Sequence, residues 1–167
     1  MILLVSGSPR RDSANSRLLL ALARLVPGEP ARLTDYLADL PVFQPDRLRG
    51  HANAALERWR ADLTAARAVV FATPAYLHNV PGVLKNALDW LAASGELSEK
   101  PCLVFTFTPH PPRGERARQS LLWSLEALDA RVVAEGGLYQ KEVSYTPAGD
   151  IAAGEQLELL TELVALL

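Results

Sequence analysis

Apolar residues in this chain occur either as short continuous runs or as longer stretches with helical spacing. Residues 2–5 and 68–72 are apolar at every position, which is typical of strands buried on both faces of a parallel sheet. Three further short segments complete a set of five predicted strands, at residues 2–5, 31–34, 68–72, 102–106 and from Val132 onward.

Between these strands, apolar residues recur every three or four positions, as they do on the buried side of an amphipathic helix. Pro27-Gly28 is expected to stop the first helix, and Pro81 to open the third, because proline is favoured at a first turn. Residues 39–45 contain two prolines and are predicted to form a loop. The predicted helices lie at residues 15–26, 52–66, from 81 onward, 115–128 and 155–167.

A strand followed by a helix therefore repeats five times along the chain. Such alternation predicts an α/β sandwich of three layers, with a parallel sheet covered by helices on both faces. The chain has 167 residues and a mass of 18.2 kDa, whereas a closed (β/α)8 barrel needs about 250 residues. We therefore predict one domain over residues 1–167, with five strands in the flavodoxin-like order 2-1-3-4-5.

Composition narrows the possible partners. The net charge is -2 and no run is rich in Lys or Arg, so we expect no nucleic-acid partner. The single cysteine, Cys102, excludes an internal disulfide and the usual cysteine zinc sites, and it is expected to be an inert core thiol. The opening apolar run is too short to cross a membrane and follows no basic leader, so we expect a cytoplasmic protein without a membrane partner.

The three histidines are far apart in sequence and lack a carboxylate pattern, so no metal site is predicted for His51, His78 or His110. His78 and His110 lie on loops at one end of the predicted sheet, where each either contacts a ligand or belongs to the loop surface. No Ser-His-Asp arrangement is evident, and no side chain is assigned as a catalytic acid or base. Trp90 and Trp123 are expected to pack in the core or at a subunit contact.

In sheets of this order, ligands bind beyond the carboxyl ends of the strands, where the strand order reverses. That point lies between the first and third strands. The adjacent loops are residues 6–16, 73–82 and 106–114, and each has an unusual composition. The sequence thus places one candidate site at these three loops.

The first loop has the composition of a phosphate cradle. A helix N-terminus offers unpaired N–H groups with partial positive charge, and Arg10 can pair with phosphate oxygens. The alternative is that Ser13 or Asn15 simply caps the helix, while Arg11 is a solvated surface residue. The short polar side chains of this loop are Ser8, Ser13, Asn15 and Ser16.

Other phosphate-binding classes do not fit this loop. It has neither the G-x-G-x-x-G pattern of a dinucleotide site nor the Gly-Lys-Ser/Thr of a P-loop. A phosphoacceptor receiver domain would need carboxylates after the first and third strands, where this chain has Ser6-Gly7-Ser8 and Thr73-Pro74-Ala75. The second loop instead offers backbone amides and Tyr76, on which a flat ring can rest.

Two motifs resemble the NAD(P)H-dependent FMN reductase family, which includes chromate, quinone and azo-dye reductases of flavodoxin-like fold. The second motif is long and specific, and the resemblance covers nearly the whole chain. The motifs are Gly7-Ser8-x-Arg10-x-x-Ser13-x-Asn15 and Thr73-Pro74-x-Tyr76-x-His78-x-x-Pro81-Gly82-Val83-Leu84-Lys85-Asn86-Ala87-Leu88-Asp89-Trp90.

The resemblance implies one noncovalent FMN per subunit, NADPH or NADH as electron donor, a small-molecule electron acceptor, and a homodimer or homotetramer. It places the FMN phosphate at Ser8, Arg10, Ser13, Asn15 and Ser16. It places the flavin ring along Pro74, Ala75, Tyr76, Leu77 and His78. Thr108 and His110, on the third loop, complete the expected cofactor site.

The chain departs from the family pattern at two loops. The family commonly has Pro-Glu-Tyr-Asn where this chain has Pro74-Ala75-Tyr76-Leu77, and its third loop is richer in Ser and Gly than residues 106–114. Two alternatives therefore stay open beside the reductase. One is a flavin-binding electron carrier that oxidises nicotinamide inefficiently, and the other is a binder of a different phosphate ligand.

Overall fold

A computed structural model describes residues 1–26, 28–48 and 53–167. The strands are β1 (Ile2–Ser6), β2 (Ala31–Thr34), β3 (Ala68–Thr73), β4 (Pro101–Thr108) and β5 (Arg131–Tyr139). The helices are α1 (Ala14–Ala23), α2 (Ala54–Ala65), α3 (Gly82–Asp89), α4 (Glu115–Ala127) and α5 (Glu155–Val164).

The five strands form one parallel sheet in the order β2-β1-β3-β4-β5. In its centre, Leu4 of β1 lies between Leu33 of β2 and Val70 of β3. The fold class and strand order predicted from the sequence are therefore confirmed. Because β1 and β3 are parallel, their carboxyl ends lie at the same end of the molecule. The strand order reverses between these two strands.

Each face of the sheet carries its own core, because successive side chains of a strand point to opposite faces. Leu3 and Val5 pack with Trp59 in a cluster that also includes residues of α3 and α4. Ile2 and Leu4 pack in the other cluster, with residues of α1 and α5. The two cores account for the continuous apolar runs in β1 and β3.

Helix α1 is shorter than the predicted stretch 15–26. After Ala23 the backbone tightens: Leu25 N–H donates to the Leu22 carbonyl and Val26 N–H to the Ala23 carbonyl, three residues back. These bonds are typical of a 3-10 turn at a helix end. Pro27, expected to stop this helix, and Ala52, expected to begin the second one, lie outside the described residues.

Strand β4 runs further than the sequence predicts. Phe107 pairs with Leu138 and Thr108 with Tyr139, so β4 continues two residues beyond the predicted end at 106. The predicted loop 39–45 is flanked by two short 3-10 helices, Leu37–Asp39 and Pro45–Arg47. The extra length of β4 moves the start of the third loop to Pro109.

Helix α3 is fixed to its neighbours by side chains from the second family-like motif. The Asn86 side chain accepts from Phe43 N–H at 2.7 Å and donates to the Pro41 carbonyl at 2.9 Å. The buried Trp90 indole also donates to the Pro41 carbonyl and meets the Phe43 ring edge-on. These contacts hold the exit of the second loop in place.

Cys102 is fully buried in β4. Burial raises the pKa of its thiol to about 12, so the reactive thiolate is suppressed at neutral pH. The prediction of an inert core thiol is consistent with this environment. In the described ranges, no helix combines the length and the apolar character needed to traverse a bilayer.

Candidate active site

The loops after β1, β3 and β4 meet around a cavity of about 340 Å³ at the carboxyl end of the sheet. Eight of the twelve predicted site residues line it: Ser8, Arg10, Ser13, Asn15, Pro74, Ala75, Tyr76 and Thr108. Ala14 and four residues that the sequence reasoning did not assign, Phe107, Pro109, Arg113 and Gln140, complete its wall. We call this space the inner cavity.

The N-terminus of α1 borders the inner cavity. Ser13 is its N-cap, and the Ser13 hydroxyl accepts from Ser16 N–H at 3.1 Å. The Ser16 hydroxyl donates to Ser6 at 3.0 Å and also meets Ser13, so three buried hydroxyls form a closed group. Ser13 thus has the capping role that was the alternative to phosphate binding, and it also lines the cavity. Ser16 lines neither the inner cavity nor the larger cavity beside the second loop.

Two polar side chains of the first loop have unused hydrogen-bonding capacity. Asn15 is 3% exposed, and its Oδ1 atom has no partner among the residues that the structure describes. Arg10 has a side chain that is 74% exposed and only a long contact of 3.8 Å with Asp12. An exposed ion pair of this kind contributes little to stability, so the Arg10 guanidinium is available to bind an anion.

Gly7 allows the first loop to pass close to β3. Its N–H donates to the Ala72 carbonyl at 2.9 Å. A Cβ atom at this position would lie 2.5 Å from the Thr73 hydroxyl oxygen and 2.9 Å from a methyl group of Leu84. The residue therefore has to be glycine for the loop to keep this path.

The second loop contains a two-residue hairpin. Tyr76 and Asn79 exchange both backbone hydrogen bonds at 2.9 Å. Leu77 and His78 form the corner at φ 51° and 63°, a region that costs most residues other than glycine and asparagine about 1–2 kcal/mol. Leu77 is 98% exposed, so packing against the described residues does not compensate this strain.

A second space of about 610 Å³, the outer cavity, lies beside the hairpin. Leu77, His78 and His110 line it, and both histidines are exposed loop residues. Ala75 and Arg113 line both cavities. His51, the remaining histidine, lies outside the described residues. The other lining residues are Pro112, Gly114, Glu115 and Arg116.

The third loop is held by its own backbone and by Thr108. The buried Thr108 hydroxyl donates to the Arg113 carbonyl at 2.7 Å. Gly114 follows at φ 108°, and a Cβ there would lie 2.9 Å from the Thr106 hydroxyl oxygen. Thr108 thus belongs to β4 and anchors the loop from the cavity wall.

The cavity residues that were not predicted from the sequence lie in no distinctive sequence pattern. Arg113 lay inside the segment 106–114 that the sequence marked, but one arginine in a proline-rich loop carries no specific pattern. Gln140 follows β5, whose carboxyl end the sequence did not locate. Its N–H donates to the Thr108 carbonyl at 2.8 Å, which brings it to the inner cavity.

The strand order, the helix N-terminus with short polar side chains, and the adjoining cleft define a flavodoxin-like α/β protein with a nucleotide-type ligand site. A family model described as NADPH-dependent FMN reductase matches residues 1–142. The chain belongs to this family. It is an oxidoreductase that uses FMN as cofactor and NAD(P)H as electron donor.

Curated relatives agree with the family. The chain is 36% identical over 131 residues to the NAD(P)H-dependent FMN reductase PA1204 of Pseudomonas aeruginosa, covering 77% of this chain and 70% of the relative. It is 31% identical over 163 residues to a quinone reductase of Escherichia coli K12, covering 93% and 86%.

Solved structures agree with the fold. The flavoenzyme FerB of Paracoccus denitrificans superposes with a TM-score of 0.80 at 24% identity, covering 98% of this chain and 92% of FerB. The apo form of the NADH:FMN oxidoreductase EMOB gives a TM-score of 0.75 at 25% identity, covering 98% and 86%.

Proposed function

We propose that this protein is a cytoplasmic, homo-oligomeric reductase that passes electrons from NAD(P)H to a small-molecule acceptor at the two cavities. The observation that carries the proposal is the meeting of the first, second and third loops in one inner cavity. The phosphate of FMN would lie at Ser8, Arg10, Ser13 and Asn15, with Ser16 holding Ser13 in position.

The polar groups of the inner cavity fit FMN. The buried Asn15 Oδ1 atom needs a hydrogen-bond donor, and the ribityl chain of FMN carries hydroxyl groups. The phosphate needs a cation and N–H groups, which Arg10 and the α1 N-terminus offer. The residues present therefore fit the cofactor that the family uses.

The second and third loops supply the remainder of the site. Pro74, Ala75 and Tyr76 would lie along the flavin ring, with Thr108 anchoring the third loop beside it. Leu77, His78 and His110 would border the nicotinamide and the acceptor in the outer cavity. When bound, FMN would supply the chemistry of hydride uptake from NAD(P)H and of two-electron transfer to the acceptor, so the chain need supply orientation and charge but no acid or base.

A quinone is the acceptor that the outer cavity fits well. Its wall combines apolar groups, Ala75, Leu77 and Pro112, with the polar rings of His78 and His110. A 2-hydroxy-1,4-benzoquinone reductase of Burkholderia sp is 37% identical over 89 residues, covering 53% of this chain and 48% of that protein. Reduction to a hydroquinone takes two electrons from NAD(P)H and two protons, one from the nicotinamide and one from water. Azo compounds, free flavin and metal oxyanions are further candidates.

The exposed surface of α4 supports the homo-oligomer. Trp123 is 63% exposed on this helix. It borders a groove of about 400 Å³ between α3 and α4, together with Leu88 and Leu128. An exposed tryptophan beside apolar groups is typical of protein interfaces, which fits a homodimer or homotetramer.

The direct test is to mix FMN-loaded protein anaerobically with NADPH and, separately, with NADH. We expect rapid loss of the flavin absorbance near 450 nm with at least one of them. Persistent colour with both would favour the electron carrier. A protein that takes up no added FMN would favour a different phosphate ligand.

Replacing Arg10 by alanine should weaken FMN binding about tenfold or more, because a charge-assisted hydrogen bond contributes about 1.5–3 kcal/mol. Fluorescence titration of FMN into apoprotein measures the change. Arg11→Ala is the matched control: Arg11 pairs with Asp39 at 2.6 Å and lines neither cavity. Equal affinity in wild type and Arg10→Ala would reject the phosphate assignment.

A further inference from the structure

Arg113 lies between the two cavities. Among the residues that the structure describes, it is the one cationic side chain that lines both spaces, since Arg10 lines the inner cavity and Arg116 the outer one. Its Nη2 atom is 3.4 Å from the carbonyl oxygen of Ala75, on the second loop. The guanidinium therefore reaches across from the third loop to the second.

The backbone of Arg113 is fixed, whereas its guanidinium is weakly held. The Arg113 N–H donates to the His110 carbonyl at 3.1 Å, and its own carbonyl accepts from the Thr108 hydroxyl. The side-chain contact of 3.4 Å with Ala75 is long for a hydrogen bond. No carboxylate pairs with this guanidinium anywhere in residues 1–26, 28–48 and 53–167. A small rotation can thus bring the charge to a ligand.

A cation at this place matters most when the ligand gains negative charge. Reduction adds electron density to the N1 and C2-carbonyl region of a flavin ring, and groups beside that region tune its electronics. Arginine stays protonated throughout the physiological pH range, so its charge is always present. Ala75, which Arg113 contacts, belongs to the loop assigned to the ring.

We propose that Arg113 is the residue that favours the reduced form of bound FMN, by placing a positive charge beside the ring. This inference rests on the proposed function, because it requires FMN in the inner cavity. Arg113 is then distinct from Arg10: Arg10 acts on the phosphate, whose charge does not change with the redox state of the ring, whereas Arg113 discriminates between the two redox states.

The test compares Arg113→Ala with wild type by fluorescence titration of oxidised FMN and by spectroelectrochemical titration of the bound cofactor. We expect the Kd of oxidised FMN to change less than about twofold and that of reduced FMN to rise about tenfold. A tenfold rise in the Kd of reduced FMN relative to the Kd of oxidised FMN lowers the two-electron midpoint potential by about 30 mV. Arg113→Lys keeps the charge and should restore most of the potential.

Arg131→Ala is the matched control. Arg131 is exposed at the amino end of β5, opposite the site, so its loss removes one positive charge from the protein without touching either cavity. The control should keep the wild-type potential. Arg10→Ala should weaken both redox forms by the same factor.

Three results would overturn the inference. An unchanged midpoint potential in Arg113→Ala means that the guanidinium does not act on the ring. Equal weakening of both redox forms makes Arg113 an ordinary binding residue. A wild-type protein that binds no FMN overturns the proposed function and this inference together, whereas the first two results leave the proposed function intact.

Discussion

The Gly7→Ala variant should lose both stability and FMN affinity. The added methyl group would lie 2.5 Å from the Thr73 hydroxyl oxygen and 2.9 Å from the Leu84 side chain, so β3, α3 or the first loop has to shift. Such overpacking costs about 1–3 kcal/mol of unfolding free energy. Because the proposed phosphate-binding groups lie on this loop, we expect FMN affinity to fall at least about tenfold, with each factor of ten equal to about 1.4 kcal/mol.

Gly82→Ala is the matched control for this change. A Cβ atom at Gly82 meets no atom within 4 Å, and the residue opens helix α3. Alanine there should stabilise the protein slightly, since a glycine-to-alanine change at a compatible site contributes about 0.4–1 kcal/mol. Urea unfolding and FMN titration of the two variants measure both effects. Equal behaviour of the pair would show that the first loop tolerates a side chain at Gly7.

The Trp59→Ala variant should be the most destabilised of all those considered. Trp59 is fully buried on α2, and its indole donates to the Ala87 carbonyl of α3 at 3.0 Å. Truncating a buried aromatic side chain to alanine costs about 3–5 kcal/mol. Thermal and urea unfolding should show a large loss, with FMN binding retained wherever the variant stays folded.

Trp59→Phe separates packing from hydrogen bonding at this position. Phenylalanine keeps most of the apolar contact but leaves the Ala87 carbonyl without the indole donor. We expect a loss of about 1–2 kcal/mol, clearly smaller than that of the alanine variant. If the two variants unfold at the same urea concentration, packing of the ring contributes little and the account of this core is wrong.

The sequence predicts the strands and their order because burial on both faces leaves a simple pattern. Residues 2–5 and 68–72 are apolar at every position, and the structure places them in β1 and β3, two adjacent interior strands of the sheet. The ends of the outer strands are harder to predict. Most residues of β5, Arg131–Tyr139, are exposed or half-buried, and apolar and polar residues do not alternate regularly along it. Its length is set by pairing with β4, which is a tertiary effect.

The sequence singled out the first loop because several short polar side chains and an arginine lie together before a helix, although capping is an equally ordinary role for such residues. Ser13 shows the limit of such reasoning, because one hydroxyl both caps α1 and lines the inner cavity. Arg113 and Gln140 could not be assigned from the sequence. Their place at the site depends on where the third loop turns and where β5 ends, and no local pattern encodes either.

The corner at Leu77 and His78 has a consequence for how this enzyme can evolve. Both side chains border the outer cavity, yet neither supports the core, so exchanging them would alter the proposed acceptor site without disturbing the sheet. Substitutions at this corner can therefore change substrate preference, as long as the protein keeps enough stability to offset the strain of the left-handed backbone. Asparagine or glycine at these two positions would relieve the backbone strain, but the apolar contribution of Leu77 to the cavity wall would be lost.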